Sequence, residues 1–203
     1  MPPERADSDD ELLMRLRSGD EQAFVTLYRR RQGAIYRFAL HMSGSPSFAE
    51  DVTQEVFLAL IRDCGGYDPA RGTLSGYLFG IARKLLLRNL ERGRANVPIE
   101  NDSDTSMPEL AVSADPLAAL AHRERLDALR RAVLSLPPRY REVVVLCDLE
   151  EVDYVDAAAV LAVPIGTVRS RLHRARALLL DKLSQVRDSG LAVVKLKPVR
   201  SAL

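Results

Sequence analysis

Asp153-Tyr154-Val155-Asp156-Ala157-Ala158-Ala159-Val160-Leu161-Ala162-Val163-Pro164-Ile165-Gly166-Thr167-Val168-Arg169-Ser170-Arg171-Leu172-His173-Arg174-Ala175-Arg176-Ala177-Leu178-Leu179-Leu180 is the stretch on which the fold turns. A short helix over Tyr154–Leu161, a tight turn over Ala162–Gly166 and a second helix from Thr167 have helix-turn-helix spacing. At about 100° per residue, Val168, Leu172, Ala175 and Leu179 fall in one narrow stripe that must face a core. Opposite them stand Arg169, Ser170, His173 and Arg174, flanked by Thr167 and Arg171. That face carries guanidinium, imidazole and hydroxyl groups and no acid, which suits phosphates and base edges in a major groove. Thr167 is expected to cap the helix, leaving its first amides directed at a phosphate. An ordinary solvated basic face is the competing reading of the arginines.

Outward from this stretch, the rest of the chain also reads as helical. Leu, Ala and Arg dominate, aromatics are 5% and Trp is absent, a composition that favours helices over sheets. Asp9 or Asp10 is placed to cap a helix that stops near Gly19. A second helix runs from about Asp20 to the Ser43-Gly44-Ser45-Pro46 break, and a third covers roughly Ser47 to Asp63. After a Gly-Pro loop over 65–72, a fourth begins near Leu74 or Ser75 and runs to about Arg92. Residues 96–116 break every helical pattern: three X-Pro pairs lie among Asp, Ser and Thr, which is linker composition. Helical periodicity resumes at Leu117 and continues to about Val186, interrupted at Pro137-Pro138. No internal repeat is present, and the tail 188–203 has no assigned role.

Charge is segregated along the chain. The formal net charge is only +1. Yet Asp102, Asp104, Glu109 and Asp115 stand in a stretch without Lys or Arg, whereas Arg83, Lys84, Arg88, Arg92 and Arg94 form a basic cluster. Asymmetry of this kind points to polyanion binding by parts of the chain. No run of about 18 apolar residues is available to span a membrane, and the acidic start lacks the apolar region of a secretory signal. Cys64 and Cys147 read as reduced thiols, and scattered His41, His122 and His173 suggest no metal site. A cytoplasmic protein without cofactor is expected.

Two faces in the first half call for partners. Asp51, Gln54, Glu55, Leu58 and Arg62 share one helical stripe, an apolar side chain among acids and an amide, as a docking surface for a basic helix would need. Tyr77, Gly80, Lys84 and Arg88 share another: an aromatic ring, a gap and two cations, the combination that captures single strands by stacking and backbone pairing. In the preceding loop, Tyr67 and Asp68 are the candidates for holding an extruded base, with a merely structural turn as the alternative.

Taken together, these segments resemble one family. Leu136-Pro137-Pro138-Arg139-Tyr140-Arg141-Glu142-Val143, then Tyr154, then Val163 through Arg176, closely resemble the carboxyl-terminal domain of extracytoplasmic function sigma factors. Phe48 through Leu60 is similar to that family's segment for gripping the clamp helices of the RNA polymerase beta-prime subunit, and Tyr77 through Lys84 to its minus-ten recognition helix. The chain departs at Ala162, where the family usually has a turn glycine, at Ala157 and Ala159, and at Tyr77, Lys84 and Arg88, where Trp, Asn and Asp are usual.

The resemblance implies an all-α protein of two small helical domains joined by a flexible acidic linker. Residues 1–95 would be a sigma2-like bundle for polymerase and the minus-ten element, 96–116 the linker, and 117–187 a sigma4-like domain for the minus-thirty-five element. It implies core RNA polymerase, promoter DNA and an anti-sigma factor as partners, and a linker threading through polymerase, where its acids would imitate phosphates. The rival readings are an autonomous helix-turn-helix regulator binding an operator as a dimer, and a helical enzyme. The latter finds no Gly-rich phosphate loop, nucleophile elbow or paired histidines in its support.

Overall fold

The computed structural model describes residues 7–95 and 116–188, and every regular element in them is helical. The linker expected over 96–116 and the tail thus fall almost wholly outside the described residues. In the first half, α1 (Asp9–Arg17), α2 (Glu21–Ser43), α3 (Pro46–Arg62) and α4 (Leu74–Ala95) form a bundle, with two 3-10 turns, Cys64–Gly66 and Pro69–Arg71, between the last two helices. The second half comprises α5 (Pro116–Leu134), α6 (Pro138–Val144) running into a π-helical turn (Val145–Leu149), α7 (Tyr154–Leu161) and α8 (Ile165–Asp188).

Helix ends follow local chemistry. The cap of α1 is Ser8 rather than Asp9 or Asp10: its hydroxyl accepts from the Glu11 amide while the Glu11 carboxylate accepts from the Ser8 amide, a reciprocal pairing that satisfies two orphan donors. The Asp20 carboxylate caps α2 through the Gln22 and Ala23 amides. Gly44 ends α2 at φ 77°, the left-handed geometry that glycine adopts without a Cβ penalty. Ser45 caps α3, whose first residue is Pro46, so α3 starts one residue before the expected Ser47.

The first bundle buries Phe38 edge-on against Phe79, ring centres 5.3 Å apart, and gathers Phe24, Tyr28 and Phe57 in a second aromatic cluster. In the second half, Val168, Leu172, Ala175 and Leu179 are each at most 2% exposed, so the stripe read from the sequence is the buried face of α8. Its apolar cluster is continuous with that of the first bundle, because α2 packs on α5 and α6 while α4 packs on α7.

Ala162 ends α7 at φ 54°, ψ 46°, a left-handed conformation in which its Cβ crowds the carbonyl. Ala162 is exposed, so its methyl contributes no packing. Ala162→Gly should therefore stabilise the protein by about 1 kcal/mol. Thermal unfolding would register this as a rise of about 2–4 °C; an unchanged or lower midpoint would show that the turn carries no strain.

Candidate nucleic-acid and partner surfaces

The geometry of the helix-turn-helix is set by its caps. The Asp153 carboxylate accepts from the Val155 and Asp156 amides, both at 2.8 Å, and starts α7. The chain reverses at Ala162 and re-enters helix at Ile165, two residues earlier than expected, because the Pro164 carbonyl already accepts from the Thr167 and Val168 amides. Thr167 accordingly lies within the first turn of α8 and does not cap it. Its amide is committed to Pro164, and its carbonyl accepts from the Ser170 hydroxyl.

Arg169, Ser170, His173 and Arg174 are exposed on α8, with Thr167 and Arg171 half-buried beside them. Arg176 is not part of this face: it forms a two-pronged ion pair with Asp148, at 2.9 and 2.5 Å, which ties α8 to the π-helical turn. Two residues missed in the sequence join the face from α6. The Arg139 guanidinium stacks 4.8 Å over the Tyr140 ring, and the Tyr140 hydroxyl bonds to Arg174, which together with the two arginine charges holds the phenol below its usual range. The adjacency of Arg139 and Tyr140 in the sequence was the available signal.

On α4, Lys84 and Arg88 are exposed and open space lies over Gly80. Tyr77 is half-buried, its ring centre 5.7 Å from that of Tyr67. Tyr67 does not stand free over the loop. It is 5% exposed, and its phenol donates to Asp10 at 2.8 Å and toward the Gly72 carbonyl at 3.1 Å. Burial and the Asp10 carboxylate push that phenol well above its usual range. Arg17 braces the same loop through the Cys64 and Tyr67 carbonyls. Asp68 stays exposed, its carboxylate accepting from the Ala70 amide to cap the second 3-10 turn. The loop thus has a rigid aromatic floor rather than a free ring.

Asp51, Gln54, Glu55 and Leu58 are all exposed on α3, with Leu58 at 40% and Ile61 one turn on at 47%. Phe48, Asp51, Val52, Glu55, Leu85 and Arg88 line a groove between α3 and α4. Arg88, assigned from sequence to the aromatic-basic stripe alone, therefore borders the acidic face as well. Among the described residues no cluster of His, Cys, Asp and Glu could hold a metal, and no helix is long and apolar enough to cross a membrane.

Known proteins match this chain in both halves. Residues 27–96 match the Sigma-70 region 2 family and residues 126–179 the Sigma-70 region 4 family. The chain is 38% identical over 176 residues to the ECF RNA polymerase sigma factor SigE of Mycolicibacterium smegmatis, covering 83% of this chain and 65% of that protein's length. It is 34% identical to the ECF RNA polymerase sigma factor SigM of Mycobacterium tuberculosis, over 85% of this chain and 83% of the relative. The sigma factor RpoE of Bartonella quintana, solved in complex with the anti-sigma factor NepR, superposes with a TM-score of 0.62 at 25% identity, over 79% of this chain and 96% of that one. The chain belongs to the ECF family of RNA polymerase sigma factors.

Proposed function

We propose that this protein binds core RNA polymerase through α3 and directs it to promoters, reading the minus-ten element with α4 and the minus-thirty-five element with α8. Within this reading, residues 1–95 and 117–187 act as two domains, 96–116 is their tether, and the work is done in the cytoplasm. The observation that carries it is that one chain presents two complementary surfaces: an acid-free α8 face of Arg169, Arg171, His173 and Arg174, and an α3 face where Leu58 is exposed beside Asp51, Gln54 and Glu55. An autonomous repressor needs the first surface and has no use for the second. The clamp helices of the beta-prime subunit supply the basic partner that the α3 face fits, and an anti-sigma factor, as RpoE of Bartonella quintana has in NepR, is a further expected partner.

On α4, Tyr77, Lys84 and Arg88 would hold a melted strand, Tyr77 by stacking and the cations by phosphate pairing. Asp68 would accept a hydrogen bond from an extruded base. Tyr67 supports that loop from beneath. On α8, Thr167 and Ser170 add short hydroxyl contacts to those of the arginines.

Run-off transcription with bacterial core polymerase, with and without this protein, tests the reading on the promoter upstream of its own gene. A specific transcript only when both are present is expected. Arg174→Ala should reduce that transcript about tenfold, the order of one lost base or phosphate contact. Its effect should vanish on a template whose minus-thirty-five element is scrambled. Tight binding to a palindrome without polymerase, and no transcript, would establish the autonomous regulator instead.

A further inference from the structure

Among the described residues, three polar contacts between the two halves of the chain share one sense, while Arg141 of the second half donates to the Met42 carbonyl of the first. Three carboxylates of the second half meet donors of the first. Glu150 takes the Arg37 guanidinium at 3.0 and 2.7 Å, Glu142 takes Arg83 at 2.7 Å, and Asp156 of α7 reaches the amino end of α4. There the Asp156 carboxylate accepts from the Thr73 amide at 3.3 Å and from the Thr73 hydroxyl. Thr73 in turn caps α4, its hydroxyl accepting from the Gly76 amide at 3.1 Å. Asp156 is 7% exposed and Glu150's side chain 1%, so these acids are sequestered between the halves.

The seat under Asp156 is shaped by missing side chains. A Cβ on Gly76 would lie 3.1 Å from the Asp156 carboxyl carbon, and one on Gly72 2.9 Å from its oxygen. The carboxylate also stands at the positive end of the α4 dipole. The Asp156 carboxylate is buried here, and a hydrogen bond to a charged acceptor is stronger than one between neutral groups.

We infer that the free protein closes on itself through this contact, and that Asp156 is a latch that must release α4 before both promoter elements can be engaged. The inference rests on the promoter-reading function proposed above. In the closed arrangement α7, which precedes the recognition helix, touches the start of α4. The minus-ten and minus-thirty-five elements are nominally about 25 base pairs apart, on the order of 85 Å of duplex. The twenty residues 96–115 reach about 70 Å when extended. With the two folded halves added to it, an extended tether of that length lets one open chain serve both elements. Closure also sets the acids of one half on the cations of the other, lowering the attraction of Arg37 and Arg83 for nucleic acid.

Small-angle X-ray scattering on the full chain, paired with run-off transcription at limiting protein, separates the possibilities. Asp156→Asn removes the charge from the latch. Gly76→Ala leaves α7 untouched and favours the α4 helix, yet puts a methyl where the carboxylate sits. Both should expand the particle and raise core-dependent transcription about tenfold, the order of one charged hydrogen bond shifted in the closed-to-open equilibrium. Arg83→Glu should expand it too, and adding Glu142→Arg should close it again, a rescue that an unfolded variant would not show. Unchanged scattering in Asp156→Asn and Gly76→Ala would overturn the latch. Expansion with no gain in transcription would overturn its inhibitory role. A wild-type chain that gives no transcript with polymerase would instead sink the promoter-reading function, which the scattering does not depend on.

Discussion

Leu58→Lys is expected to reduce polymerase-dependent run-off transcription to background while leaving the protein folded. Leu58 is 40% exposed, and the side chains that hold α3 in the bundle are its neighbours Val56, Phe57 and Leu60, none more than 2% exposed. Lysine and leucine have nearly equal helix propensity, so the cost to stability should stay within about 0.5 kcal/mol. The cost to docking is of another order. An apolar anchor ringed by polar groups is the usual form of an interface hot spot, worth about 2–4 kcal/mol when lost. Here the replacement also sets a cation against a partner chosen for its positive charge.

A fall of roughly 30- to 1000-fold in affinity for core polymerase follows, measured by binding and by run-off. Met14→Lys is the control: Met14 is more exposed, at 59%, but lies on α1 outside the acidic face, and its substitution should change neither quantity. Full activity of Leu58→Lys with an intact melting curve would remove α3 from the docking surface.

How much of this was legible in the sequence differs by the range of the interaction. The α8 stripe and the stop at Gly44 are written within a few residues of themselves, and the sequence shows them directly. Where two local signals compete, the reading slips. Ser8 won over Asp9 and Asp10 because only Ser8 has Glu11 three residues on to return its hydrogen bond. Thr167 lost the capping role because Pro164, with its fixed φ, starts the turn earlier.

Long-range pairings leave no periodic trace at all. Arg37, Arg83 and Arg176 count as cations in any sequence tally, yet each is spent on Glu150, Glu142 or Asp148 across the fold. Formal charge does not say which cations stay available for DNA. Arg169, Arg171 and Arg174, by contrast, stand on the face that helical periodicity alone picks out. Tyr67 illustrates the same point for aromatics: a tyrosine in a Gly-Pro loop reads as a free ring until Asp10 and Arg17 on α1, more than fifty positions earlier for Asp10, are seen to hold it down.

Arg141→Met should be the most destabilising of the substitutions considered, costing about 3–5 kcal/mol and lowering the melting midpoint by on the order of 10 °C. Arg141 donates to the carbonyls of Leu134 and Leu136 at the carboxyl end of α5, and to Met42 at the end of α2 at 2.7 Å. These are orphan acceptors of two helix termini, where a cation also meets the negative ends of both dipoles. Burial pushes the guanidinium's pKa down, but an arginine stays charged in any accessible range. Its Nε is buried without a partner, so the site already bears one uncompensated donor and still keeps the arginine.

Methionine fills a similar volume and keeps the apolar stem, which confines the loss to the donors. Three carbonyls are then left to find water in a half-buried site. Arg141→Lys should fall between the two, because an ammonium is a point charge that cannot span acceptors on two helices. If Arg141→Met melts within about 2 °C of the wild type, the carbonyls are hydrated without it, and the resemblance of Leu136 through Val143 to its family has some cause other than this contact.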